Sequence, residues 1–412
     1  VKRSKGDQSP VSYATKLRTD LETLWRGGRG PALLAVSAGW FLSLGVRMIY
    51  PALLPSLRDA YGLSLTAGGL LITVLWVAYA IGQLPGGILT DRLGERDVLI
   101  ASTAISAVLL SFFVLADSVA IVFAATALFG LGTALYGVAR FTAAAALYPD
   151  NDGTAIGVTL AAGQIGNALL PVAAGAITAA TAWQFGFGFT VPIFVAVTAL
   201  LWLALPSDLS AGDGDVGGLS SELISEVLAE VRRPTIVTTA IVLTLGFGMW
   251  QAFTGFYPTY LIERKGLSPT VAASLFGLYF ALGIGIQPAA GAAYDRFGIR
   301  RTLPVLFVIV IGGLAALPAL EGFWPLAGIT VVLSFMLGNI AVLLPYLTTQ
   351  LPDEIQGTCL GLIRTTYMTI GAVSPLAFGA IADRGFFDEA FWLLAAGLAI
   401  NLVFVFRLPD AE

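Results

Sequence analysis

Gly87-Ile88-Leu89-Thr90-Asp91-Arg92-Leu93-Gly94-Glu95-Arg96 is a short charged segment between two long apolar stretches, and the chain contains it twice. Displaced by 204 positions, Gly87, Asp91, Arg92, Gly94 and Arg96 return as Gly291, Asp295, Arg296, Gly298 and Arg300. The register runs outward on both sides without a gap. Before it, Leu57, Gly62, Leu63, Ser64 and Thr66 return as Leu261, Gly266, Leu267, Ser268 and Thr270, and Gln83 returns as Gln287. After it, Gly153, Thr154, Gly157, Ala168, Pro171 and Gly175 match Gly357, Thr358, Gly361, Ala372, Pro375 and Gly379. Self-similarity at one long period marks a duplicated architecture.

The apolar stretches around the repeat are long enough to cross a bilayer, which takes about 20 residues of helix. Six are expected near 31–57, 65–89, 98–116, 118–147, 154–180 and 183–205. Six more are expected near 235–262, 269–293, 302–320, 323–350, 356–382 and 389–407. The fold class is therefore an all-α integral membrane protein, with twelve transmembrane helices in two pseudo-symmetric six-helix bundles spanning 31–205 and 235–407. Residues 1–30, 206–234 and 408–412 read as a tail, a linker and a short second tail. An even number of spans per half inserts both halves in the same direction, as parallel repeats.

Composition agrees. Of 412 residues 57% are hydrophobic and 12% charged, where soluble domains carry about 25% charge. A formal net charge of -4 offers no basic face to a nucleic acid. With one cysteine, Cys359, and no histidine, neither an intrachain disulfide nor the usual zinc or copper ligand set can be assembled. No metal or cofactor is called for, and Ser-His or Cys-His catalysis is excluded.

Orientation follows from the basic residues, which favour the cytoplasmic side. With the N-terminus inside, fifteen of the 22 lysines and arginines fall on that side, seven of them in the first 29 residues. A multi-pass protein of the cell membrane with both termini cytoplasmic is expected. In the tail, Val11, Ala14, Leu17, Leu21, Leu24 and Trp25 recur at helical spacing, as in an amphipathic helix on the bilayer surface, although an unstructured tail fits as well.

Three charged residues fall well inside expected spans: Arg47 in the first, Arg140 in the fourth and Arg364 in the eleventh. An arginine at a helix centre costs about 2.5–3.5 kcal/mol on the insertion scale, so each should face a wet cavity or a partner. Their repeat positions hold Gln251, Leu344 and Leu160, so the scaffold itself does not require them. A guanidinium fork matches a carboxylate, phosphate or sulfonate with paired hydrogen bonds, which makes a small anionic solute the expected partner beside the lipid bilayer. Arg140 has a second reading, pairing with Asp91. Residues three or four away share a helix face, which adds Tyr50, Tyr136 and Tyr367 to the candidates, with Gln251 and Asn339 as further buried polar groups. No carboxylate lies within a span, so simple proton symport is disfavoured. A monoanion entering against an inside-negative potential costs about 2.3 kcal/mol per 100 mV. Exchange, export or an unidentified coupling ion follows.

The segment Gly87–Arg96 and its copy Gly291–Arg300 resemble the signature of the major facilitator superfamily, at the expected loops of a twelve-span chain. The resemblance covers the whole chain. It implies secondary active transport by alternating access between two rocking bundles, and it assigns Asp91, Arg92, Arg96, Asp295, Arg296 and Arg300 to a cytoplasmic gate. Gly163, Gly166, Pro171 and Gly175 partly resemble the antiporter motif of the same superfamily, with Leu170 before the proline where a glycine is usual. Gly45-Val46-Arg47 with Pro55 is similar to the first helix of organic-anion carriers, among them vesicular glutamate and glycerol-phosphate transporters. The latter keep a second arginine where this chain has Gln251, so a carboxylate is favoured over a phosphate. Two other readings remain: a sensor or scaffold of the same fold without turnover, and an exporter of lipophilic drugs.

Overall fold

A computed structural model describes residues 24–25, 29–207, 209, 221–352 and 354–409. Twelve helices among them are long and apolar enough to cross a membrane: α1 (Gly30–Ala52), α2 (Leu65–Leu93), α3 (Glu95–Val114), α4 (Val119–Leu147), α5 (Asp152–Ala180), α6 (Trp183–Ala204), α7 (Pro234–Glu263), α8 (Pro269–Phe297), α9 (Ile299–Ala319), α10 (Phe323–Thr349), α11 (Gln356–Ala382) and α12 (Phe387–Val405). The chain is a multi-pass membrane protein. The first span is shorter than expected, because the helix stops at Leu53 and a separate helix, Leu54–Tyr61, carries the chain to the next loop. The amphipathic reading of the N-terminal tail lies outside the described residues, apart from Leu24 and Trp25. Within the linker, Ser221–Val231 is helical and packs beside the start of α11.

The repeat is visible as local geometry. Ser64 caps α2 by accepting a hydrogen bond from the Ala67 amide at 3.1 Å, and Ser268 caps α8 from Val271 at 3.4 Å. These caps satisfy amides that the first helical turn leaves free. Gly94 and Gly298 turn the chain between consecutive spans at φ 84° and 76°, a region that disfavours residues with a side chain. The charged segment that opened the sequence reading is thus mostly the last turns of α2, and the reversal into α3 is made at Gly94.

Within the N-terminal half α1 and α5 meet at small residues. A Cβ on Gly45 would come 2.6 Å from the Gly166 carbonyl oxygen, and one on Gly166 would run into the Phe41 carbonyl oxygen. Close backbone approach of this kind holds helices together where lipid removes the hydrophobic drive. The bilayer side is apolar, as at Leu84, Leu203 and Trp324, which are 70%, 73% and 80% exposed.

The two halves touch chiefly on the face opposite the termini. There α2 lies along α11 and α5 along α8. Gly69 sits against the Pro375 carbonyl and Gly379 against that of Leu65. On the terminal face Gly153 and Gly157, with their repeat partners Gly357 and Gly361, have no neighbour within 4 Å of a Cβ. The halves are closed at one end and splayed at the other.

Candidate functional site

Between the halves lies a cavity of about 280 Å³, with walls from both. Arg47 of α1 and Arg364 of α11 reach it from opposite sides. Tyr79, Tyr367, Gln164, Asn167, Gln287 and Asn339 supply its other polar groups. Among the described residues, no aspartate, glutamate or lysine lines it.

Arg47 is held by its own helix and by rings. Its Nε donates to the Ser43 carbonyl at 3.0 Å, one turn back, which fixes the plane of the guanidinium. The Cζ lies 3.8 Å from the Tyr79 ring centroid, 4.9 Å from that of Trp76 and 5.5 Å from that of Trp40. Cation–π contacts offset part of the cost of burying the charge. They leave Nη1 and Nη2 without a hydrogen-bond partner, in a side chain that is 0% exposed. Arg364 is half-buried and has no hydrogen bond or ion pair among the described residues. Tyr79 lies within electrostatic reach of Arg47, Arg364 and Arg140 together.

Arg140 stands one layer behind the wall. Its Nη1 donates to Thr159 Oγ1 at 3.3 Å, and its Cζ lies 3.8 Å from the centroids of both Trp40 and Phe141. Trp40 contacts both Arg47 and Arg140, and Gly163 makes room for its indole. The ion pair with Asp91 weighed from sequence is not formed here, since Asp91 is exposed on the terminal face.

Helical spacing places Tyr367 on the cavity but misdirects two other candidates, and Gln251, taken as a buried polar group, also lies elsewhere. Tyr50 points into an aromatic core with Phe113, Phe129 and Phe187 at centroid distances of 5.1, 6.2 and 4.9 Å. Tyr136 donates to the Val36 carbonyl at 2.7 Å, tying α4 to α1. Gln251 is fully buried away from the cavity. The correction has a simple geometric cause: a step of three or four residues still rotates a side chain by tens of degrees, enough to leave a narrow cavity. Sequence reasoning missed Trp40, Trp76, Tyr79, Phe247 and Trp250, which carry no signal apart from that of core aromatics. Gln287 had one, in its repeat partner Gln83.

The residues given to a gate divide into two groups. Asp91, Arg92, Asp295 and Arg296 are exposed on the terminal face, with Arg296 at 5.1 Å from the Phe297 ring centroid. Arg96 instead ties α3 to the end of α6, donating to the Leu205 carbonyl at 3.1 Å and the Trp202 carbonyl at 2.9 Å. Arg300 does the same in the other half, from Nε to the Leu408 carbonyl at 2.8 Å.

Hydrogen bonds between the halves, among the described residues, all lie on the closed face. Arg58 pairs with Glu263, and the Leu376 amide donates to Thr73 Oγ1 at 3.3 Å. The Asp383 carboxylate accepts from the Leu65 and Thr66 amides at 2.7 Å each and from the Thr66 hydroxyl, so it caps the first turn of α2 from across the interface. Burial works against ionisation of Asp383, but hydrogen bonds from Thr66, Ser64 and Leu65 outweigh it and hold the carboxyl below the ordinary carboxylate range.

Comparison with known proteins matches the Major Facilitator Superfamily over residues 35–373. A nitrite extrusion protein of Bacillus subtilis (strain 168) is 25% identical over 259 residues, 62% of this chain and 64% of that protein, so the chain spans a little under two thirds of it. A probable sulfoacetate transporter of Cupriavidus necator is 25% identical over 383 residues, covering 84% of this chain and 86% of that one. Among solved structures, a bacterial homologue of the human lysosomal transporter Spinster, inward-facing and occupied, superposes with a TM-score of 0.75 at 16% identity, over 93% of this chain and 97% of that one.

Proposed function

The chain belongs to the major facilitator superfamily, and from that premise we propose that it is a secondary carrier of a small organic anion, a carboxylate foremost, working by alternating access. The observation that carries the reading is the pair of unpartnered Arg47 terminal nitrogens, buried at a cavity that holds a second arginine and no acid. A buried cation without a counter-charge is costly, so the site is built to be completed by an anion. A fork with two unpartnered terminal nitrogens suits two carboxylate oxygens. The names of the nitrite and sulfoacetate relatives support the same chemistry. Arg47 and Arg364 are the proposed ligands, Tyr367 and Asn339 accessory contacts, and Arg140 a support that holds Trp40. The splayed face is proposed to be cytoplasmic, on the distribution of basic residues.

Two measurements test this. Small carboxylates at a hundredfold excess over Kd should stabilise the purified protein by about 2.7 kcal/mol. The same compounds, labelled, should accumulate in proteoliposomes bearing a gradient of the anion. Binding without flux would favour a sensor of the same fold, and stabilisation by neutral lipophiles alone would favour a drug exporter.

Asp91 and Arg92, with their repeat partners Asp295 and Arg296, are proposed to engage only when the splayed face closes. Asp91→Asn should therefore slow flux about tenfold while leaving substrate Kd within about twofold, because it acts on one conformer and not on the ligand. Loss of binding in a folded Asp91→Asn protein would overturn the gate assignment.

A further inference from the structure

Once the two arginines have taken the anionic group, the rest of the cavity has to suit the body of the molecule, and that wall is aromatic. Trp76 from the N-terminal half meets Trp250 from the C-terminal half at 5.8 Å and 81°. Phe247 lies 5.6 Å from Trp250 and 5.5 Å from Tyr367, the latter at 70°. Arg47 lies over Trp76, and the edge-on contacts of Trp76 with Trp250 and of Phe247 with Tyr367 leave part of the ring surface to a flat guest. Among the described residues the hydroxyl-bearing side chains on the wall are Tyr79 and Tyr367, with no serine or threonine. Of the amides, Asn167 donates to Gln164 at 3.0 Å, while Asn167 Oδ1 and Asn339 Oδ1 stay unpartnered and Gln287 also faces the cavity. A polyhydroxylated body would find a few of these groups but would set part of its hydroxyl surface against rings. The volume, about 280 Å³, suits one small ring.

Resting on the carrier reading above, we infer that the transported anion is a small aromatic or conjugated monocarboxylate, its carboxylate on Arg47 and Arg364 and its ring against Trp76, Phe247 and Trp250, bound in preference to sugar acids. The wall selects by shape and polarisability what the arginines select by charge.

The experiment measures Kd on the purified full chain, by quenching of tryptophan fluorescence and by thermal shift, for benzoate, cyclohexanecarboxylate, glucuronate and benzyl alcohol. Benzoate should bind about three- to tenfold more tightly than cyclohexanecarboxylate, the range expected for an aromatic contact beyond area burial. Glucuronate should bind about tenfold more weakly than benzoate, the cost of roughly one hydroxyl group that loses water without gaining a partner. Trp250→Leu should erase the preference for benzoate over cyclohexanecarboxylate, and Trp250→Phe should keep most of it, which separates a lost ring from a damaged fold. Glucuronate binding as tightly as benzoate, or equal affinity for the flat and saturated rings, overturns the aromatic assignment and leaves the anion reading standing. Benzyl alcohol binding as tightly as benzoate overturns the anion reading itself. Absence of binding by all four compounds overturns both.

Discussion

Arg47→Gln should abolish transport in a protein that still folds. The repeat partner of Arg47 is Gln251, which is fully buried, so the scaffold already accepts glutamine in the equivalent helix. Arg47 itself keeps two terminal nitrogens unpartnered at 0% exposure, so removing it also removes an uncompensated buried charge. The empty variant should melt no lower than the parent, which is the opposite of what a structural arginine would give. Binding should suffer in proportion to the lost paired contact: about 2–5 kcal/mol, or roughly 30- to 5,000-fold in Kd. Arg47→Lys should recover only part, because an ammonium offers a point charge without the planar fork and stacks less well on Tyr79 and Trp76. Substrate affinity and flux in proteoliposomes, with a thermal melt of the empty protein, decide the matter. Near-normal affinity in Arg47→Gln would move the anion site to Arg364.

The second large effect is expected from a glycine. A Cβ on Gly69 would run into the Pro375 carbonyl oxygen and come 3.1 Å from the Leu376 Cα, both backbone atoms of the other half. Backbone cannot swing aside as a side chain can. Gly69→Val should therefore leave each half folded but prevent the closed face from closing, at a cost of about 1–3 kcal/mol or more to the conformer described here. Flux should fall at least tenfold. Spin labels on Asp59→Cys and Thr270→Cys, in a Cys359→Ser background, should report a longer distance across that face. An unchanged distance with parental flux would mean that the close approach is not needed. Gly166→Val makes an instructive contrast, because its obstacle, the Phe41 carbonyl, belongs to the same half. That variant should lose folding, not switching.

What the sequence disclosed and what it withheld divide along physical lines. Spans were legible because each is written in adjacent residues, as a run of apolar positions bounded by polar or charged ones. The repeat then doubled every such signal. Arg47 and Arg364 were legible for a different reason, the cost of an ion in a bilayer, which makes any intramembrane charge conspicuous. The aromatic wall was not legible. A tryptophan facing a cavity and one facing a core are the same letter on an equally apolar helix, and only the neighbouring helices decide which it is. Tyr50 shows the converse error, in which proximity along α1 to a cavity arginine stood in for proximity in space. Arg140 fell between the two, conspicuous as a charge but placed by Trp40 and Thr159 on two other helices.

Arg96 and Arg300 were expected at a gate and instead tie the first turn of α3 to the end of α6, and that of α9 to the end of α12. Mechanically this is a hoop at the splayed end of each half, where bundles have least support from their neighbours. A bundle so bound resists fraying when its partner moves away, and a push delivered to one helix at the cavity is carried by its companions as a common rotation. Duplication has copied the hoop into both halves while leaving the cavity arginines unmatched. Stiffness is symmetric in this molecule, and selectivity is not.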